Sequence, residues 1–263
     1  MKINTIKFFF FFLAISFQLY LCSCNNQTNP QTSDKDERVS DTLNNVVDSA
    51  PKKDSVKYDE LKIGRQVWMK KNLDVSNFSN GDPIVEAKSD KEWENACNNK
   101  VPAWCNYSNS SELGMRYGKL YNYYAVHDSR GLAPSGWRIP KLSDWEEMYK
   151  FICGQKPPRE SAFGNPCINS EFDAYAVGNE LCSIDFWRSS ENNNNNSGFT
   201  ALPGGCRLGF DGNNAFHGIQ EYGSFWTLDK KYDNYSKVTI GLGLARLEWS
   251  GFKMGLYVRC IKE

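Results

Sequence analysis

The chain changes character abruptly at residue 57. Asn25 to Lys57 contains no aromatic residue, glycine or cysteine, and its six acids and five bases are scattered among Asn, Ser, Thr and Gln. Such a stretch buries too little apolar surface to offset the entropy of ordering it, so a disordered tether is expected. All eight tryptophans lie beyond it, in the 206 residues from Tyr58 to Glu263. Any packed core must be built there, and the length suits one domain. Those residues carry 24 bases and 25 acids, without the basic excess that nucleic-acid binding uses, so no nucleic-acid partner is expected. His127 and His217 are the only histidines, which rules out a three-His metal site or a His-rich relay. No metal and no cofactor are expected.

Upstream of the tether, Met1–Lys7 holds two lysines and no acid, and Phe8–Leu21 is an apolar run too short for a comfortable membrane span. The run closes on Leu21-Cys22-Ser23-Cys24, which resembles a bacterial lipobox. Residues 1–23 then read as a lipoprotein signal peptide, Cys24 as the lipidated N-terminus, and 24–57 as the linker to a domain over 58–263. The membrane would be reached through that lipid. Asn25, in place of the aspartate associated with inner-membrane retention, points to the outer membrane, facing either the periplasm or the cell surface. Three triplets in the linker, beginning at Asp41, Asp48 and Asp54, resemble an O-glycosylation sequon of exported proteins, with Thr42, Ser49 and Ser55 as acceptors.

Within 58–263, short apolar runs bounded by Gly, Ser and Asn predict mostly antiparallel strands at 66–69, 120–126, 137–139, 199–202, 224–228, 237–244 and 255–261. Ser143-Asp144-Trp145-Glu146 has the capping-box form, and Trp145, Met148, Tyr149 and Ile152 continue at helical spacing to about Cys153. A second helix is expected over Asp90–Asn98, with Ser89 as its cap and Trp93 and Cys97 four apart. The five asparagines from Asn192 to Asn196 read as an exposed loop. Asp211-Gly212-Asn213-Asn214 reads as a hairpin turn, and Gly241-x-Gly243 as strand-end geometry.

Several blocks occur in one order: Ile63-Gly64-Arg65-Gln66-Val67-Trp68-Met69; Trp104-Cys105-Asn106-Tyr107; Tyr117-Gly118-Lys119-Leu120-Tyr121-Asn122-Tyr123; Pro134-Ser135-Gly136-Trp137-Arg138-Ile139-Pro140; Gly198-Phe199-Thr200-Ala201-Leu202-Pro203-Gly204-Gly205; Phe225-Trp226-Thr227; and Val258-Arg259-Cys260. Together they resemble the Fibrobacter succinogenes major paralogous domain, carried by exported, lipidated bacterial proteins. More distantly, Trp137-Arg138-Ile139-Pro140 and Trp145 resemble the sulfatase-modifying family, and Val258-Arg259-Cys260 resembles the end of that family and of C-type lectin-like domains. These resemblances imply an α+β, C-type lectin-like fold with short antiparallel sheets, two short helices and long loops. Trp68, Trp137, Trp145 and Trp226 would fill its core.

The same resemblance bears on the cysteines. With Cys24 acylated, seven remain, so at least one is unpaired. Gly114 stands where the family often has a partner for Cys105, which favours Cys97–Cys105. The lectin-like placement of a helix-to-last-strand bridge favours Cys153–Cys260, with Cys153–Cys167 competing.

No catalytic triad, zinc-spaced set or phosphate-cradling loop is present. Trp249, Tyr222, Tyr232 and Tyr235, interleaved with Asp229, Asp233, Asn234 and Glu248, resemble a carbohydrate platform, although loop aromatics also cover cores. The function expected is therefore non-catalytic: adhesion or surface recognition of a glycan or protein ligand. The alternatives are an enzyme of the sulfatase-modifying type and a structural envelope protein.

Overall fold

In the computed structural model, residues 57–154, 173–175, 177–209, 215–231, 234–241 and 243–263 are described, all of them within a unit spanning Ser55–Glu263. Cys24, Thr42, Ser49, Ser55, Cys167, Asp211–Asn214 and Tyr232 lie outside the described residues.

The chain begins with a hairpin, β1 (Glu60–Ile63) and β2 (Gln66–Met69), followed by β3 (Val85–Glu86) and α1 (Asp90–Asn98). Helix α1 forms as its sequence predicts. The Ser89 side chain accepts the Glu92 N–H at 3.2 Å, the Glu92 carboxylate accepts the Lys88 N–H at 2.6 Å, and Trp93 and Cys97 face inward. Then come β4 (Ala103–Cys105), a 3-10 turn (Tyr107–Asn109), α2 (Ser111–Tyr117), β5 (Leu120–Tyr121) and α3 (Tyr123–Val126). The strand expected over 120–126 is thus half helix. Buried Asn122 explains the switch: its Oδ1 accepts the Ala125 N–H at 2.9 Å, capping a new helix, and also the Ala103 N–H at 3.0 Å.

Strand β6 (Trp137–Arg138) leads into α4 (Leu142–Gly154). This helix starts one residue before the expected cap. Asp144, not Glu146, reaches back to the Lys141 N–H (2.7 Å), and the Leu142 N–H is taken by Asp229 from a distant strand (2.6 Å). After β7 (Asp173–Tyr175) and α5 (Val177–Leu181) come β8 (Gly204–Arg207), β9 (Phe216–Ile219), β10 (Gly223–Lys231), β11 (Asn234–Gly241), β12 (Leu244–Ser250) and β13 (Ile261–Lys262). The single strand expected over 237–244 is two, because the chain reverses at Gly243, whose φ of +77° suits a residue without Cβ. No strand forms over 199–202; Thr200 has φ +57°, and only Ala201 bridges, to Cys182. Of 255–261 only Ile261 joins a ladder, the rest making isolated bridges at Gly255, Leu256 and Tyr257. The asparagine run is a loop, but it is tied down: the Asn194 N–H donates to Asn179 O (3.1 Å), and Asn195 Oδ1 accepts the Thr200 N–H (2.8 Å).

The strands assemble into a four-stranded sheet (β1-β2-β13-β6), a six-stranded sheet (β7-β12-β11-β10-β8-β9) and a three-stranded sheet (β3-β4-β5). Pairing is antiparallel except for β3–β4 and β8–β10. The fold is α+β, with five α-helices among the described residues rather than the two expected. Two apolar clusters lie against the six-stranded sheet. One joins Phe225, Val238, Ile240, Ala245 and Leu247 to Trp68, Trp145 and Phe199; the other joins Trp226 and Tyr235 to Tyr121, Leu256 and Val258. Trp68, Trp137, Trp145 and Trp226, expected in the core, are all buried.

Two arginines are fully buried as well. Arg259 donates to Asn72 Oδ1 (2.7 and 2.9 Å), Lys70 O (3.0 Å) and Phe199 O (2.7 Å), so neutral acceptors tie two distant segments to one cation. Burial pulls its guanidinium down to about 9, still protonated at neutral pH. Arg207 lies between the rings of Trp93 (4.9 Å) and Phe216 (4.6 Å) and pairs with Asp90.

Candidate functional site: a polar cleft on the central sheet

In β11 and β12 the side chains alternate, as a strand's pleat requires. Val238, Ile240, Ala245 and Leu247 enter the first cluster. The intervening residues form cross-strand pairs on the opposite face: Lys237 with Glu248, Thr239 with Arg246, and Gly241 with Leu244. The segment Glu221–Tyr222 crosses Gly241 so closely that a Cβ there would meet Glu221 O at 2.5 Å. A cleft of about 290 Å³ results, lined by Glu221, Tyr222, Lys237, Thr239, Gly241, Leu244, Arg246 and Glu248.

Glu248 is its electrostatic centre. Its Oε2 accepts the Thr239 hydroxyl at 2.7 Å and lies 3.2 Å from Lys237 Nζ, while Arg246 stands 3.9 Å from Oε1. The Lys237 side chain is 15% exposed and that of Glu248 31%, so the pair is partly withdrawn from solvent. Ser224 and Thr239 hydroxyls lie 3.2 Å apart beneath it. On the wall, the Tyr222 hydroxyl sits 2.9 Å from His217 Nδ1 and 3.6 Å from Cys206 Sγ, and burial pushes the phenol well up from its ordinary value. Glu221 is paired with Arg188.

The residues predicted as one platform are dispersed. Tyr222 lines the cleft. Trp249, 40% exposed, stands opposite Ser236 and outside the cleft lining. Tyr235 is buried, its ring 3.7 Å from that of Tyr123 on α3 and 6.2 Å from His127. Asp229 caps α4, as described above. Tyr235 shares the cleft's face of β11 but lies at the covered end of the strand, which sequence alternation alone does not reveal. Burial lowers the pKa of His127, whose Nδ1 lies 3.1 Å from Tyr123 O.

Neither expected disulfide forms, since Cys97, Cys105 and Cys260 carry free thiols. Cys97 lies 3.8 Å from Lys253 O, and Cys105 Sγ faces Arg207 at the same distance. Cys153 packs against the first apolar cluster and Cys260 belongs to the second, so the helix-to-last-strand bridge is not made. Burial pushes the thiols up, Cys97 to about 11 and Cys105 and Cys260 to about 12.

Sequence reasoning missed Lys237, Thr239 and Arg246. Their signal was present as polar residues at every second position beside Val238, Ile240, Ala245 and Leu247. Reading 237–244 as one strand hid the fact that two such alternations face each other. Among the described residues no group of three or more His, Cys, Asp or Glu is placed to hold a metal ion.

Comparison with curated proteins and with solved structures returned no match. Comparison with protein families did: residues 61–262 match the Fibrobacter succinogenes major domain (Fib_succ_major), from the first hairpin to the last strand. The ordered blocks and this match agree, and the chain belongs to the Fibrobacter succinogenes major domain family.

Proposed function

We propose that this protein is a non-catalytic envelope protein, lipid-anchored through Cys24 in the outer membrane, whose globular domain binds an extracellular glycan or protein in adhesion or surface recognition. The observation that carries this reading is the cleft. It combines an aromatic wall, two cations, two carboxylates and a hydroxyl on one sheet face, the polar–apolar mix of a small-ligand site. A lectin-like architecture belongs to the same reading, supported by the α+β fold with its short sheets. No helix among the described residues is long and apolar enough to cross a membrane.

The alternative, an enzyme of the sulfatase-modifying type, needs a reactive thiol. Of the six described cysteines, Cys97, Cys105, Cys182, Cys206 and Cys260 are buried with raised pKa values, the opposite of an activated nucleophile, and Cys153 is half-buried. The test is retention of ligands by the purified protein, on a glycan array and by cross-linking on intact cells, each repeated with Glu248→Gln. Retained ligands that are lost with the variant support the cleft; a pattern the variant leaves untouched overturns it. Metabolic labelling with a palmitate analogue, abolished in Cys24→Ser, checks the anchor.

A further inference from the structure

Each carboxylate of the cleft already has a cation, Glu248 with Lys237 and Arg246, and Glu221 with Arg188. Lys237 and Arg246 stand against Glu221 and Glu248, and the shortest cation contact is already made inside the site, at 3.2 Å between Lys237 and Glu248. A carboxylate or sulfate brought in would face two resident carboxylates; an ammonium would face two resident cations. Either would enter without a counter-charge that is free of its own partner, which costs desolvation that nothing offsets.

Hydrogen-bonding capacity nevertheless remains. Both close contacts to Glu248 fall on Oε2, while its Oε1 has Arg246 at 3.9 Å, beyond hydrogen-bond range. An ionised carboxylate accepts through both oxygens, and an ammonium has three donors, of which Glu248 occupies one. The site thus offers an acceptor and a donor side by side: Glu248 Oε1 for an O–H, and Lys237 Nζ for the oxygen next to it. Leu244 and the ring of Tyr222 supply apolar wall, suited to the C–H face of a sugar ring. A volume of about 290 Å³ lies at the small end of ligand pockets, room for one or two sugar rings but not for an element of folded protein.

We infer that the cleft takes an uncharged saccharide through a vicinal pair of hydroxyls, Glu248 accepting from one and Lys237 donating to the other, with Tyr222 against the ring. This rests on the cleft being the ligand site, and it chooses the glycan over the protein ligand.

The test is calorimetric titration of the full mature protein with cellotriose, xylotriose, mannotriose and trigalacturonate, at low and high salt. At least one neutral trisaccharide should bind, with an affinity that high salt changes by less than about twofold, because no net charge is neutralised. Trigalacturonate should bind no more tightly. Glu248→Gln should weaken binding about tenfold, the value of one charge-assisted hydrogen bond, and Tyr222→Ala should weaken it too. Trp249→Ala, outside the cleft, should not. Circular dichroism melting of each variant separates lost binding from lost folding. Tighter binding of trigalacturonate, strong salt dependence, or no binding of any neutral trisaccharide overturns the saccharide assignment. If Glu248→Gln still abolishes a cross-linked protein contact, the cleft remains the ligand site and only the sugar is wrong. If Glu248→Gln and Tyr222→Ala change no binding of any kind, the cleft reading itself falls.

Discussion

The two faces of the β11–β12 ladder are made from the same fifteen residues, yet they do different work. On one face Val238, Ile240, Ala245 and Leu247 are sealed against Phe225, Trp145 and Phe199. On the other, two strand-spacings of polar side chains stay open and satisfy one another through Glu248. The comparison teaches that a sheet face need not be covered to be ordered: cross-strand hydrogen bonds and ion pairs hold the second face at little net energy. Stability should therefore respond to one face and recognition to the other.

The sharpest way to break this comparison is Phe225→Ala. The ring is fully buried, 5.8 Å from Trp145 and 6.4 Å from Phe199, so its removal should cost about 3–5 kcal/mol in urea unfolding. A loss below about 1 kcal/mol would mean that this face is not the structural one.

The buried thiols carry the next effect, and they test whether both clusters are equally dry. Cys105 in one cluster and Cys260 in the other keep their protons to about 12, above the ordinary 9.0. Above pH 9 the unfolded chain ionises these groups and the folded chain does not, so the unfolded state binds fewer protons. Their contribution is fully present below pH 9 and is lost as pH rises, by roughly 1.4 kcal/mol per pH unit for each thiol. Urea midpoints that stay flat from pH 8.5 to 10.5 in the wild type, relative to a Cys105→Ala/Cys260→Ala variant, would contradict this.

Smaller still, Asp229→Ala removes the acceptor at the start of α4 and should cost about 1 kcal/mol, as cap losses do, without changing ligand retention. Ligand loss in this variant would return Asp229 to the recognition surface. Least of all, Glu248→Gln should move stability by no more than about 1 kcal/mol, because its ion pairs are partly exposed. A drop comparable to that of Phe225→Ala would merge the two faces into one core.

The parts of this molecule that were legible in the sequence are those decided by neighbours along the chain. Helix α1 was readable because a serine cap and an apolar spacing of four act within two turns. The burial of Trp68, Trp137, Trp145 and Trp226 was readable for a similar reason, from the apolar area of each side chain. Family membership was readable because ordered blocks survive without knowledge of their contacts.

Other assignments depended on partners far away in sequence. Asn122 turns a strand into helix α3 while it binds Ala103, nineteen residues away, and Asp229 caps a helix eighty-seven residues before it. Cys153 and Cys260 stay apart because their helix and strand belong to different clusters, whereas Cys97 and Cys105 share one cluster and still carry free thiols. The cleft exists only because β11 and β12 pair in the register that sets Lys237 against Glu248 and Thr239 against Arg246. By itself the sequence determined which side chains alternate; only the tertiary structure decided which face closed, because burial is a property of what packs against a strand and not of the strand.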